Sequence, residues 1–177
     1  MEKEIERDVI MEGKIMTVTK EKVLLPDGNT AYREVVYHHG GVSILGIHDD
    51  KIILVKQFRY PNRIETLEIP AGKLEEGEDT KECAFREFEE ETSNRAEDMK
   101  FLFKFLPSPG YTNEWISIYQ AINFKHVDDA LEQDPDEYLN LIEIPIDEAY
   151  SMVLDGRIVD AKTALAIFYA YNQKHIK

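Results

Sequence analysis

The stretch "GKLEEGEDTKECAFREFEEETSN", residues 72–94, decides how this chain reads. From Glu68 to Glu91, ten acidic residues stand against Lys73, Lys81 and Arg86, a net −7 and half of the chain's formal −14. Asp79 followed by Glu82 has capping-box spacing, with aspartate in place of serine or threonine. From there Ala84, Phe85 and Phe88 form an apolar stripe at i, i+1, i+4, which predicts a helix running to about Thr92. Residues i, i+3 and i+4 share a helix face, so Glu87, Glu90 and Glu91 project together while Ala84 and Phe88 turn toward the core. Like charges this close repel one another. Either the face is merely solvated, as most glutamate-rich helices are, or a cation neutralises it. Hard oxygen ligands select Mg²⁺, Mn²⁺ or Ca²⁺, and no Cys/His cluster suggests zinc.

Outward from this helix the chain reads as strands. "KIMTVTKEKVLL" and "TAYREVVYH" flank "PDGN" (residues 26–29), a turn signal because Asp-Gly tolerates positive φ. "GVSILGI" and "KIILVKQF" are short, apolar and β-branched, separated by His48-Asp49-Asp50. After the helix come "KFLFKFL", "WISIYQAINF" and "YLNLIEIP". Two helices follow, at about Ile146 to Leu154 and Asp160 to Lys174, with Asp160 as N-cap and Gly156 where a C-cap glycine belongs. Strands, one helix, strands and two helices predict an α+β fold, a mixed sheet covered by helices.

The chain's 177 residues suggest one domain with a small appendage. Apolar content of 43% and charged content of 32% fit a packed core rather than disorder. The acidic balance argues against a nucleic-acid backbone or an anionic membrane as the main partner. A lone Cys83 excludes an internal disulfide and fits a reducing compartment. "MEKEIERDVIM" interrupts its apolar residues with charges, unlike a signal peptide, and no apolar run approaches membrane length. The expected location is cytoplasmic.

Gly72, five residues, Glu78, seven residues, Arg86-Glu87, the apolar Phe88, one residue, then Glu90-Glu91 has the pattern of the Nudix box. Average residue usage gives such a match on the order of 10⁻⁷ per start position. The sequence resembles Nudix hydrolases. "LEIPAGKLEEGE", "QFRYP" (residues 57–61), "PSPGYTNE" (107–114) and "GRIVDAKT" (156–163) are similar to the ADP-ribose pyrophosphatase branch. One departure is that Ser93 and Asn94 stand where the box has glycine and an aliphatic residue.

The resemblance implies an α/β/α sandwich with a mixed central sheet and an N-terminal antiparallel β segment. Residues 1–38 would form that segment, as a dimerisation arm, and 39–177 the Nudix domain of a homodimer. The implied reaction is Mg²⁺-dependent hydrolysis of ADP-ribose or a related nucleotide sugar to AMP and a sugar phosphate, with Mn²⁺ as a substitute. The alternatives are another substrate (NADH, FAD, ADP-glucose, GDP-mannose) or a non-catalytic sensing module. By the same resemblance, the Ala71 carbonyl with Glu87, Glu90 and Glu91 would bind metal. Arg86 would orient a ligand carboxylate, and Glu78 would brace the loop. Arg59 would contact the diphosphate or a neighbouring ribose. Glu68 would meet a sugar hydroxyl or the adenine edge. Gly110 and Tyr111 would shape the terminal-ribose pocket, and Arg33 with Tyr32 would help bind adenine. Glu137, or second Glu132, would be the catalytic base. Cys83 reads as a small core residue, His38 and His39 as structural, and Trp115 as a core aromatic.

Overall fold

The computed structural model describes residues 1–133 and 138–176. In chain order the elements are β1 (Lys3–Glu12), β2 (Met16–Leu24), β3 (Thr30–His38), β4 (Gly41–Leu45), β5 (Ile47–His48), β6 (Lys51–Arg59), β7 (Ile64–Glu68), β8 (Ala71–Lys73), α1 (Thr80–Thr92), β9 (Asn94–Phe105), β10 (Ile116–His126), β11 (Asn140–Pro145), α2 (Ile146–Leu154) and α3 (Ala161–His175). The chain divides into two compact units, Met1–Gly40 with Phe105–Trp115, and Gly41–Lys104 with Ile116–Lys177.

The first unit is an antiparallel three-stranded sheet, β1-β2-β3. Its second turn closes where the sequence places it. Gly28 takes φ 85, and its N–H reaches the Leu25 carbonyl at 3.0 Å. The Asp27 carboxylate accepts from the Asn29 N–H at 3.0 Å. The segment around Thr112 bridges to Val36 in parallel sense. Strand β1 leaves no clear mark in the sequence. Its ten residues are all exposed, and "KEIERDVIME" sets charges among its apolar residues, so no buried face writes an alternation there.

The second unit holds a mixed sheet, β8-β4-β10-β9, in which β4 and β10 run parallel. Beside it lies a second sheet, β11-β6-β5, with β7 paired to β6. All five residues of β4 are buried, the mark of a strand covered on both faces. Cys83, Ala84 and Phe88 of α1 pack with Val42, Ile44, Ile53, Met99, Tyr119 and Ala121. Phe88 meets Phe124 edge-on at 5.2 Å. Alternation turns Ser43 and Leu45 away from α1. Helix α3 packs on β10 and β7, burying Ala166, Ile167 and Ala170. It is stapled to α2 by Tyr150 stacked on Tyr171 at 3.8 Å.

The expected α+β class, mixed sheet and three helices are present. Strand β9 starts at Asn94, earlier than the apolar "KFLFKFL" suggests, because Ser93 ends α1 within one residue. Ser93 itself takes the left-handed conformation, φ 52 and ψ 29, and its N–H reaches the Glu89 carbonyl at 2.9 Å. Trp115 lies just before β10, half exposed rather than in the core. Among the described residues, no helix is long and apolar enough to cross a membrane.

Candidate functional site

Helix α1 places the acidic cluster by local chemistry. Asp79 caps it, accepting from the Lys81 N–H at 2.8 Å and the Glu82 N–H at 3.4 Å. Burial of Ala84 and Phe88 then fixes the helix rotation and sets the glutamates against β8. Glu87 and Glu91 are nearly buried and Glu90 less so. The Glu91 carboxylate accepts the Ala71 N–H at 3.0 Å. The Glu87 carboxylate lies over the bare backbone of Gly72, where an added Cβ would fall 1.7 Å from Glu87 Cδ. Only glycine fits there while Glu87 keeps its place.

Arg86 ties these acids together. Its Nη1 donates to Glu87 Oε1 at 2.8 Å and to Glu90 Oε2 at 2.9 Å. Its Nε and Nη2 fork onto the two Glu78 oxygens at 3.0 and 3.1 Å. Glu78 also accepts the Glu75 N–H at 3.0 Å, bracing the loop before the helix. The Arg86 bond, aided by that N–H and against burial, holds the Glu78 carboxyl at about 2. Cys83 is buried in the core and burial pushes its thiol up, so it is no thiolate nucleophile.

In this arrangement one guanidinium stands between Glu87 and Glu90. Among the described residues, no three His, Cys, Asp or Glu side chains converge closely enough to hold an ion. The donor set still fits a hard divalent cation. It is all oxygen, gathered on one helical turn, and faces a strand stripped of its side chain at Gly72.

A second cluster joins β6, β7 and the start of α3. Arg59 forks onto Glu68, Nε to Oε1 at 2.7 Å and Nη2 to Oε2 at 2.5 Å. Lys162 also donates to Glu68, and the Thr66 hydroxyl does so at 2.6 Å. Lys162 lies 3.0 Å from Asp160, the N-cap of α3. Thr163 Oγ1 accepts the Ile69 N–H at 2.8 Å, locking the helix start to the strand end. Arg59, Thr66, Glu68, Asp160 and Lys162 line a cavity of about 630 Å³ with Asn62, Ile64, Val159 and Ala161. The charge of Glu91 is among those that raise the Arg59 pKa, behind the Glu68 bond, so the cavity and the carboxylate helix share one field.

Glu68 is 2% exposed, and its oxygens are engaged by these three partners. Burial alone would raise its pKa; the Arg59 fork, Lys162 and Thr66 outweigh it and hold the carboxyl at about 2. A carboxyl depressed in the fold contributes stability that is present above its unfolded pKa, about 4.3, and lost as pH falls toward the folded value. Urea unfolding at stepped pH should therefore show stability falling between about pH 4 and 2, with a shallower fall in Glu68→Gln. Equal slopes would remove Glu68 from that role.

Arg33, Gly110 and Tyr111 belong to the first unit. Arg33 forks onto Glu2 at 3.0 and 2.5 Å. The Tyr111 carbonyl accepts the Val36 N–H at 2.7 Å, and its ring is exposed. Tyr32 is exposed under Lys20. Glu132 is exposed, and Glu137 lies outside the described residues. Lys162 is a site residue that sequence reasoning misses. "GRIVDAKT" contains it, but nothing local shows that it returns to Glu68.

The NUDIX domain model matches residues 37–165. The chain is 40% identical to the methanol dehydrogenase activator of Bacillus methanolicus, covering 99% of this chain and 96% of that one. It is also 40% identical to the ADP-ribose pyrophosphatase of Bacillus subtilis (strain 168), covering 95% and 91%. A solved structure described as an ADP compounds hydrolase shares the fold, with TM-score 0.85 at 22% identity, covering 99% of this chain and 96% of that one.

Proposed function

The chain belongs to the NUDIX family, and from that premise we propose that it hydrolyses the diphosphate linkage of ADP-ribose or a related nucleotide sugar, releasing AMP and a sugar phosphate. The observation that carries this reading is the turn of α1 that sets Glu87 and Glu90 on Arg86, Glu87 over the bare backbone of Gly72, and Glu91 on the Ala71 N–H. The identity with an ADP-ribose pyrophosphatase over most of both chains supports the substrate.

Glu87, Glu90, Glu91 and the Ala71 carbonyl would hold Mg²⁺, or Mn²⁺ in its place. A divalent ion bound there neutralises phosphate oxygens and lowers the pKa of bound water. Arg86 keeps two of the carboxylates oriented. Arg59, held by Glu68 at the cavity, offers a guanidinium to the diphosphate or the adjoining ribose. The resemblance supports Glu68 toward a sugar hydroxyl or the adenine edge, and Gly110, Tyr111 and Arg33 as further substrate contacts. Glu137, with Glu132 as second choice, accepts the proton of the attacking water. Residues 1–38 serve as the arm of a homodimer, and the protein works in the cytoplasm.

The test is a panel of ADP-ribose, ADP-glucose, GDP-mannose, NADH and FAD, assayed with Mg²⁺, Mn²⁺ or EDTA. ADP-ribose should give the highest kcat/KM, and EDTA should remove at least about 99% of turnover, since metal-borne catalysis contributes several kcal/mol. A preference of about tenfold for GDP-mannose, equivalent to about 1.4 kcal/mol, would overturn the substrate and keep the reaction class. The relative named for activating a methanol dehydrogenase favours a second reading, in which the same hydrolytic site serves to activate a dehydrogenase. Adding the protein to a dehydrogenase assay, with and without EDTA, decides it.

A further inference from the structure

The box pattern leaves position 89 open, yet Glu89 is 9% exposed and lies on a different side of α1 from Glu87. A carboxylate buried there needs a partner, and Arg95, at the start of β9, supplies one. Its Nε and Nη2 fork onto Glu89 at 2.9 and 2.7 Å. The same Nη2 donates to the Asp129 carbonyl at 3.3 Å and lies 3.4 Å from the Asp129 carboxylate. On either side, the Val127 N–H donates to the Ser93 carbonyl at 3.0 Å, and Gln133 Nε2 donates to the Glu91 carbonyl at 3.5 Å.

Residues 127, 129 and 133 each bond to the end of α1 or the start of β9, and the acids of the segment, Asp128, Asp129 and Glu132, are exposed. The helix whose glutamates would hold the metal and the segment bearing Glu132 are thus joined through the Glu89–Arg95 ion pair and two flanking hydrogen bonds.

We propose that Glu89 and Arg95 are positioning residues for hydrolysis: they bracket residues 127–133 against the carboxylate helix and so fix where the exposed acids of that segment stand. The proposal rests on the reading of this chain as a diphosphate hydrolase. The bracket acts through the segment and touches no substrate. Its loss therefore lowers turnover rather than affinity.

Three variants test it: Arg95→Met, Glu89→Gln and the exchange Glu89→Arg with Arg95→Glu. In Arg95→Met, kcat for ADP-ribose should fall about tenfold or more with KM within about twofold, the scale of a misplaced group. Hydrogen exchange at the Val127 amide, which donates to the Ser93 carbonyl, should quicken. The exchange variant restores an ion pair, but with its charges reversed. The carboxylate it sets at position 95 cannot donate to the Asp129 carbonyl. This variant should recover thermal stability without recovering kcat. If kcat returns together with Tm, or if all variants keep kcat within about twofold of the parent, the role is structural and the proposal falls. Should the exchange variant not fold, Arg95→Met and Glu89→Gln decide by the same two readouts. If the parent protein turns over no member of the substrate panel, the hydrolase reading fails by itself. Amide exchange at Val127 in Arg95→Met then still decides whether the bracket exists.

Discussion

Gly72→Ala is expected to lower kcat by about 10²-fold or more while costing the fold only about 1 kcal/mol. The two effects separate because of what the new methyl group meets. Its nearest neighbours are the Glu87 carboxylate atoms, at 1.7, 1.9 and 2.2 Å. Glu87 can swing its flexible end away at small energetic cost, but β8 cannot retreat. It pairs with β4 at Gly41, Val42 and Ser43, and Gly41 is itself so close that a Cβ there would stand 2.8 Å from the Gly72 carbonyl. The clash is therefore relieved by displacing Glu87 from Arg86 and from its neighbours on α1. Gly156→Ala is the control. It has φ 81 and open space around it, so it carries backbone strain of similar size away from the acidic turn. It should lose stability and keep kcat. Thermal melts and steady-state kinetics on both variants make the comparison. If Gly72→Ala turned over ADP-ribose like the parent, Glu87 would need no fixed place above β8.

Much of this was legible in the sequence because the signals are local. The cap at Asp79, the stripe through Ala84 and Phe88, and the glutamate spacing all lie within or beside one helix of 13 residues. Helices α2 and α3 were legible for the same reason, the second through its Asp160 cap, which accepts the Thr163 N–H at 3.0 Å. What escaped depends on contacts between distant parts of the chain. Strand β1 exists through its pairing with β2, from Lys3↔Leu24 to Glu12↔Thr17, and not through a buried face of its own. Lys162 reaches Glu68 across 94 positions, and no spacing rule joins a lysine in the first turn of one helix to a glutamate at the end of β7. Ser93 shows the converse. The box pattern asks for glycine at the helix end, yet a serine in the left-handed conformation still ends α1 with the usual 2.9 Å bond. A serine reaches that conformation at a modest cost that tertiary contacts can offset.

Glu91→Gln is expected to lower kcat by at least about 10²-fold, or about 2.7 kcal/mol of barrier, with the fold intact. The substitution is nearly isosteric. Glutamine can still accept the Ala71 N–H that Glu91 accepts at 3.0 Å, so the tie between α1 and β8 survives. What is lost is one negative charge at a side chain only 5% exposed, where little solvent screens it. If Glu91 helps to hold a divalent ion, the variant needs more Mg²⁺ for half-maximal rate and stays slow at saturation. If Glu91 serves only to pin β8, turnover stays near that of the parent, because the pin remains. Glu90→Gln gives the contrast. Glu90 is more exposed, and a glutamine there can still accept from Arg86 Nη1, which Glu90 meets at 2.9 Å and which also keeps Glu87, while Glu78 holds the rest of the guanidinium. Its effect on kcat should be the smaller of the two. Magnesium titrations of both variants, read beside circular-dichroism melts, separate charge from scaffold. Equal and small losses in the two would leave the acidic turn a structural element and send the search for the reacting groups to the Arg59 cavity.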